Sequence, residues 1–273
     1  MAQTMKQTPI ALSIAGSDSG GGAGIQADLK TFTAQQVFGT TAITCITAQN
    51  PQGVTAIQEI NVEVVEKQIL AVLNFFPVAV VKTGMLFSQE IIQIVFQTLH
   101  KRSLPFVLDP VMVATSGAVL LQEGAIQSLR DELLGIATVF TPNADEAEIL
   151  LGDKIADYKG LEDATHSLFQ KYRIPVLLKG GHRNDNNIAT DYLYDGNAMH
   201  SYSKKFIADA ETHGTGCTYS SAIAAQLALG KPLPEAVRQA REYLHQSIRE
   251  SLWLGSTKSL SHQVTIKNED TKP

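Results

Sequence analysis

The stretch Ile10-Ala11-Leu12-Ser13-Ile14-Ala15-Gly16-Ser17-Asp18-Ser19-Gly20-Gly21-Gly22-Ala23-Gly24-Ile25-Gln26-Ala27-Asp28 decides the fold class. Its aliphatic start, 10–15, has no polar alternation beyond one serine and fits a strand buried on both faces. A glycine-rich turn follows, and 25–36 has the apolar spacing of a helix. The same unit repeats along the chain. Runs at 41–48, 78–81, 106–108, 138–140 and 176–178 read as buried strands, and 62–75, 88–99, 123–134 and 161–172 as helices. Strand and helix in alternation predict a mostly parallel sheet with helices on both faces. Near the end, 190–194 and 198–202 flank Asp195-Gly196-Asn197 and predict a C-terminal antiparallel hairpin. Helices are expected at 218–229 and 234–252. The reading is one α/β domain over 10–254, with a flexible N-terminus at 1–9 and a polar, loosely held C-terminal tail at 255–273.

Composition narrows the function classes. A chain of 273 residues, 44% hydrophobic and 18% charged, can bury a large core. A net charge of -5 gives no basic surface for nucleic acid. Cys45 and Cys217 are too few and too far apart for a disulfide framework or a metal cluster, and they point to a reducing compartment. Residues 1–9 lack the apolar core of a secretion signal, and the apolar run near 77–81 is far short of a membrane span. A soluble, cytoplasmic protein acting on a small molecule, with no nucleic acid and no membrane, is expected.

Ligands of open parallel sheets bind beyond the carboxyl ends of the strands. Those positions hold Gly16 to Gly24, Gln49-Asn50-Pro51, Lys82-Thr83-Gly84-Met85, Asp109-Pro110, Thr141-Pro142-Asn143 and Lys179-Gly180-Gly181-His182. Each alone is ordinary turn chemistry. Six at one end of a sheet describe a cleft. Gly22-Ala23-Gly24-Ile25-Gln26-Ala27 has the form of a dinucleotide fingerprint, but the second strand ends in Gln49, and the first acid after Asp28 is Glu59. The ribose-holding acid at the end of the second strand is therefore missing. No G-x-x-x-x-G-K-[ST] occurs either. Phosphate handling falls to Thr212-His213-Gly214-Thr215-Gly216-Cys217, where glycines precede a helix whose first N–H groups and dipole attract anions. In that field the Cys217 thiol is expected to have a lowered pKa. The plainer alternative is a loop that starts a helix and carries a buried cysteine.

Gly214-Thr215-Gly216-Cys217 resembles the G-A-G-D anion-hole motif of the ribokinase superfamily, with cysteine in place of aspartate. Taken with Gly16 to Thr31, Lys82-Thr83-Gly84-Met85, Asp109-Pro110-Val111-Met112-Val113, Thr141-Pro142-Asn143 and Lys179-Gly180-Gly181-His182, the chain resembles the hydroxymethylpyrimidine/phosphomethylpyrimidine kinases of thiamine biosynthesis over about 10–254. The resemblance implies a ribokinase-like three-layer αβα sandwich with a mostly parallel central sheet and a C-terminal β-hairpin. It implies ATP-dependent phosphorylation of 4-amino-5-hydroxymethyl-2-methylpyrimidine, then of its monophosphate. It also implies magnesium, raises potassium as an auxiliary ion, and suggests a homodimer.

Roles follow from the same resemblance. Gly214, Thr215, Gly216 and Cys217 would stabilise the transferring phosphoryl group, with Cys217 as a substituted base. Lys179, Asn143 and Asp109 would serve ATP, and Glu146 and Asp109 magnesium. Without the resemblance, Glu146 reads as a carboxylate favouring a helix dipole, and Lys179 as a surface charge. Gln49 would read the aminopyrimidine through its amide oxygen and nitrogen. Gly16, Ala23, Met85 and Val111 would wall the ring, and Asp28 would lie near the hydroxymethyl group. His213, just before the anion hole, reads by its position either as a base or as a residue that only caps or lines it. A pyridoxal kinase of the same superfamily is the nearest alternative. That branch resembles V-A-M-D-P where this chain has Thr47-Ala48-Gln49-Asn50-Pro51, and carries a cysteine near the segment Ala114-Thr115-Ser116-Gly117. An acyl transferase using Cys217 and His213, or a pyrimidine-binding protein without catalysis, would leave Lys179, Asn143 and Glu146 without a catalytic role.

Overall fold

The computed structural model describes residues 7–112, 121, 123–155, 158–181, 187–208 and 210–264. The expected first unit is present: β1 (Ile10–Asp18), a glycine-rich turn and α1 (Gly24–Ala34). The chain then runs through β2 (Phe38–Asn50), β3 (Gly53–Glu59), α2 (Val62–Phe75), β4 (Val78–Thr83), α3 (Gln89–Leu99), β5 (Phe106–Leu108), α4 (Glu123–Ser128), β6 (Val139–Phe140), α5 (Ala144–Leu151) and α6 (Tyr158–Tyr172). Strand β7 (Val176–Leu178), the hairpin β8 (Ile188–Tyr194) and β9 (Met199–Lys205), α7 (Thr215–Ala228), α8 (Leu233–Arg249) and a small hairpin, β10 (Leu252–Leu254) and β11 (Thr257–Ser259), complete it.

The large sheet has the order β3-β2-β1-β4-β5-β6-β7-β8-β9. From β2 to β7 neighbours are parallel; β3, β8 and β9 pair antiparallel at the two edges. Side chains of a strand alternate between faces, and here both faces are apolar. Leu12, Ile14, Val81, Leu108, Phe140, Val176 and Leu178 pack with α2, α3, α5 and α6. Ala11, Val80, Val107, Val139 and Leu177 pack with α1, α7 and α8 on the other side. Three layers result. The chain leaves β1 toward β2 on one side and returns to β4 on the other, so the strand order reverses between β1 and β4. A crevice opens where the order reverses, outside the strand ends.

Four features depart from the expected elements. Strand β3 was not expected, because this half-exposed edge strand separates Val54 and Ile57 with small and polar residues and shows neither an unbroken apolar run nor strict alternation. Helix α5 was given no bounds, although reading Glu146 as a carboxylate on a helix dipole implies a helix start there, and Asn143 and Glu146 do start it with a reciprocal capping box. The third concerns the tail. The chain beyond 254 was expected to be loosely held, yet Leu260, Ser261, His262 and Val264 are buried. His262 Nε2 lies 3.1 Å from Thr218 Oγ1 on α7, and Tyr243 Oη donates to the His262 carbonyl at 3.0 Å. Apolar Leu260 and Val264 outweigh the polarity of their neighbours and dock the return against the α7–α8 layer. The helix expected over 123–134 is shorter, giving way at Leu129–Leu133 to a π turn and then to a 3-10 turn at Leu134–Ile136.

Candidate active site

Two glycine-bearing loops are pressed together at the crevice. Gly214, the residue before α7, has φ +80°, and a Cβ there would lie 1.9 Å from the Gly22 carbonyl oxygen. No other residue fits that contact. The first loop is folded around Asp18, whose carboxylate accepts from the backbone N–H groups of Gly20 (2.8 Å), Gly22 (3.0 Å) and Ala23 (2.8 Å). His213 Nε2 stands 3.1 Å from the same carboxylate. Burial works against the charge, but the bonds from His213 and the backbone hold Asp18 below its ordinary pKa.

A cavity of about 400 Å³ runs along this seam. At one end it is lined by Gly16, Ala23, Gln49, Met85 and Val111, the expected ring-binding residues. Cys45, Met85, Ile57, Phe87 and Val111 form a small apolar cluster of their own, separate from the two main cores. Gly16 is close-packed there: a Cβ would come within 2.8 Å of Cys45 Sγ. Further along, the cavity is lined by Asp109, Asn143, Glu146, Lys179 and Gly214 to Cys217. Ala189, Phe206, Ile207, Leu244 and Ile248, with Lys205, Arg241 and His245, also line it.

The central charges are closely coupled. Lys179 Nζ donates to Asp109 Oδ1 at 2.9 Å; Thr141 and Ser220 add their hydroxyls at 3.2 and 2.9 Å. Burial opposes the Asp109 charge, yet Lys179 and Lys82 keep it below the usual carboxylate range. The start of α7 faces this pair, since a Cβ on Gly216 would sit 3.5 Å from Lys179 Nζ. Gly214 supplies no side-chain cap to α7. Glu146 accepts from the N–H of Asn143 at 2.8 Å and of Met112 at 3.5 Å. Burial, aided by the Asp109 charge, pushes Glu146 up to about 7 against the pull of Lys179. Among the described residues no three of His, Cys, Asp and Glu converge as a metal site. Asp109 and Glu146 bring carboxylates to the cavity wall, and a hard cation there would need further oxygens from phosphate or water.

Two expectations are corrected. Cys217 was expected to carry a lowered pKa, but burial pushes its thiol up to about 11; Lys82 opposes this, while Asp28 and Asp109 add to it. Desolvation and two nearby carboxylates outweigh the helix N-terminus. Asp28, expected near the substrate, has no exposed surface and does not line the cavity. Its oxygens are taken by Ser13 (2.5 Å), Ser221 (2.6 Å) and Lys82 (2.9 and 3.0 Å). Residue spacing on a helix does not tell which carboxylate faces a ligand and which faces a buried lysine.

Lys82 is the residue that the sequence reading quoted in a motif and left without a role. It is completely buried yet lines the cavity, and despite the cost of burial Asp28, Cys217 and Asp109 hold its pKa well above the ordinary lysine value. The buried Arg241–Asp191 pair, 2.9 Å, also went unseen; Asp191 accepts from the Gly180 N–H at 2.9 Å and so ties the end of β7 to β8. Partners this distant in sequence carry no local signal. His182, Val113, the segment 114–117 and the Asp185 and Asn186 positions lie outside the described residues.

With strand order, glycine seam and charge cluster in place, comparison with known proteins is decisive. Residues 18–262 match the phosphomethylpyrimidine kinase family. The chain belongs to this family. Over 247 residues it is 47% identical to the hydroxymethylpyrimidine/phosphomethylpyrimidine kinase of Synechococcus elongatus, covering 90% of this chain and 94% of that one. Bacillus subtilis pyridoxal kinase, solved as an ADP complex, superimposes with a TM-score of 0.85 at 35% identity, covering 94% of this chain and 98% of that chain. A phosphomethylpyrimidine kinase from Clostridium difficile superimposes with a TM-score of 0.77 at 41% identity, covering 88% of this chain and 99% of that chain. The kinase is thus a phosphotransferase of thiamine biosynthesis that uses ATP, built on the fold its pyridoxal-phosphorylating relatives share. No helix among the described residues is long and apolar enough to cross a membrane.

Proposed function

We propose that this one cavity hosts both phosphorylations, first of the hydroxymethyl oxygen of 4-amino-5-hydroxymethyl-2-methylpyrimidine and then of the resulting monophosphate. The observation that carries the reading is that Gln49, Met85 and Val111 share a cavity with the start of α7 and the Lys179–Asp109 pair. Gln49 reads the aminopyrimidine edge, and Gly16, Ala23, Met85 and Val111 enclose the ring. The backbone amides of Gly214, Thr215, Gly216 and Cys217 face the transferring phosphoryl group and stabilise charge as it develops. Lys179 neutralises phosphate oxygens of ATP, oriented by Asp109 and Asn143.

Glu146 and Asp109 would hold magnesium, and the donor set fits: a carboxylate that burial pushes up to about 7 gains its charge when a cation arrives. When bound, that ion offsets the negative charge of the phosphates. Cys217 acts as a thiol and not as a thiolate. It lies beside the acceptor hydroxyl, which it orients by a weak hydrogen bond, and matters more for the first step, since the acceptor of the second is an ionised phosphate with no hydroxyl hydrogen to place. The kinase works in the cytoplasm as a homodimer, and potassium dependence is tested by exchanging it for sodium.

The test is an ATP-consumption assay with hydroxymethylpyrimidine, its monophosphate and pyridoxal in parallel. Turnover of both pyrimidines is expected. The shared fold with pyridoxal kinases makes slower pyridoxal turnover a second reading; activity confined to pyridoxal would overturn the first.

A further inference from the structure

Three side chains meet at His213 Nε2, and the number of protons available settles their orientation. Asp18 Oδ2 is 3.1 Å away and Gln49 Nε2 is 3.4 Å away. Asp18 already accepts three backbone N–H groups, as a carboxylate does, and it donates nothing. The nitrogen facing it therefore carries the hydrogen, whether the ring is neutral or an imidazolium. An N–H at this point can meet only an acceptor, so the end of the Gln49 amide beside it must be the carbonyl oxygen.

The other end of the amide gives the same answer independently. Thr47 Oγ1 has one hydrogen and two neighbours, the Ser17 carbonyl at 2.9 Å and the second end of the Gln49 amide at 3.1 Å. The Ser17 carbonyl can only accept, so it takes that hydrogen. Thr47 then has only lone pairs for Gln49, and the group beside it must be the NH2. Oxygen and nitrogen of a carboxamide are told apart by their partners. Both ends of this one demand the same orientation, with the oxygen toward His213 and the nitrogen toward Thr47. The main chain of Gln49 is fixed as well, donating to Ser19 Oγ at 2.8 Å and accepting from it at 2.9 Å.

We infer that Asp18 and His213 are positioning residues that set which way Gln49 faces, and through it which heterocycle the kinase accepts. The chain of bonds from Asp18 through His213, Gln49 and Thr47 to the Ser17 carbonyl leaves one lone pair and one N–H of the amide for the ligand. That pair matches an edge where an exocyclic amine adjoins an unprotonated ring nitrogen. It rejects the 4-oxo counterpart, whose acceptor and donor are exchanged. Gly22 makes room for the arrangement, since a Cβ there would lie 2.7 Å from the His213 ring. His213 directly precedes Gly214, so ring recognition is joined to the anion-binding turn. The inference rests on Gln49 being the pyrimidine reader.

Two measurements separate that reading from the inference. In Gln49→Leu, KM for hydroxymethylpyrimidine should rise about tenfold or more, as befits a lost pair of hydrogen bonds; an unchanged KM overturns the reading and the inference with it. With that established, His213→Leu should raise KM about as far, change kcat less than about threefold, and abolish the preference for the 4-amino over the 4-oxo pyrimidine. His213→Gln, which can still donate to Asp18, should recover most of the preference. Retained preference in His213→Leu overturns the inference alone. A long-range proton–nitrogen spectrum of the unmodified kinase needs no variant to fold. It should show hydrogen on His213 Nε2, and a ring protonated only on Nδ1 would sink the proposal.

Discussion

The two ends of the cavity work by different physics. At the end proposed for the pyrimidine, Gln49, Thr47, Ser17 and His213 are linked by directed hydrogen bonds beside the apolar cluster that holds Met85 and Val111. At the end proposed for phosphate, Lys179 with Asp109 and Lys82 with Asp28 are charge pairs packed where water is largely excluded, and Glu146 is buried beside them. Hydrogen bonds of fixed direction discriminate between heterocycles of one size. Buried charges are indifferent to the ring and respond to phosphate. A kinase that must accept a substrate both before and after its first phosphorylation needs this separation, because the ring stays the same while the acceptor changes charge.

Substitutions at one end only test whether the two ends work separately. Lys179→Met should cost the most, about 100- to 1,000-fold in kcat for both steps, as for loss of one transition-state charge contact; KM for the pyrimidine should stay put, and steady-state kinetics on each substrate checks it. A large shift in that KM would mean the ends are not separate. Lys82→Met should act on stability instead. It leaves Asp28 buried without its cation, at a cost of about 3–5 kcal/mol, read from chemical denaturation. The raised lysine pKa keeps this pair intact at neutral pH, losing it only in strong alkali as the folded-state value is passed. Cys217→Ala should be milder, slowing the first phosphorylation about three- to tenfold and leaving the second nearly unchanged. With the thiol at about 11, no rise in rate between pH 6 and 8 should disappear with it; equal losses in both steps would refute its proposed place.

One effect belongs to neither end and leaves the rate at neutral pH untouched. Burial, with help from the Lys30 charge, lowers His262 to about 4. The unfolded chain takes up that proton near pH 6.5, so His262 contributes stability above this value that is lost as pH falls toward 4. Melting temperatures from pH 7.5 to 4.5 should fall less steeply in His262→Gln than in the parent, with rates at pH 7.5 nearly equal.

What the sequence made legible depended on how local each cause was. The strands at 10–15 and 176–178 announced themselves because both faces are buried, and their residues are apolar apart from Ser13. The edge strand Gly53–Glu59 did not, since half-exposed backbone pairing needs no apolar pattern. Asn143 and Glu146 drew notice for their spacing as possible phosphate and metal residues, whereas the reciprocal cap that begins α5 is what the spacing visibly builds. Asp28 was assigned to the ligand because nothing in a helix names the lysine that will meet it from β4. For Cys217 the visible half of the balance, the helix start, was the weaker half.

The contact between Gly214 and the Gly22 carbonyl has a consequence for laboratory selection. Randomising position 214 and selecting for growth on any acceptable pyrimidine should return glycine alone, because the constraint comes from the opposing backbone and not from the nutrient. Positions 47 and 49, whose duties are set by the nutrient, would drift to new pairs whenever the nutrient is changed. Retargeting such an enzyme is therefore work for the residues that can be exchanged in concert, around a seam that tolerates none.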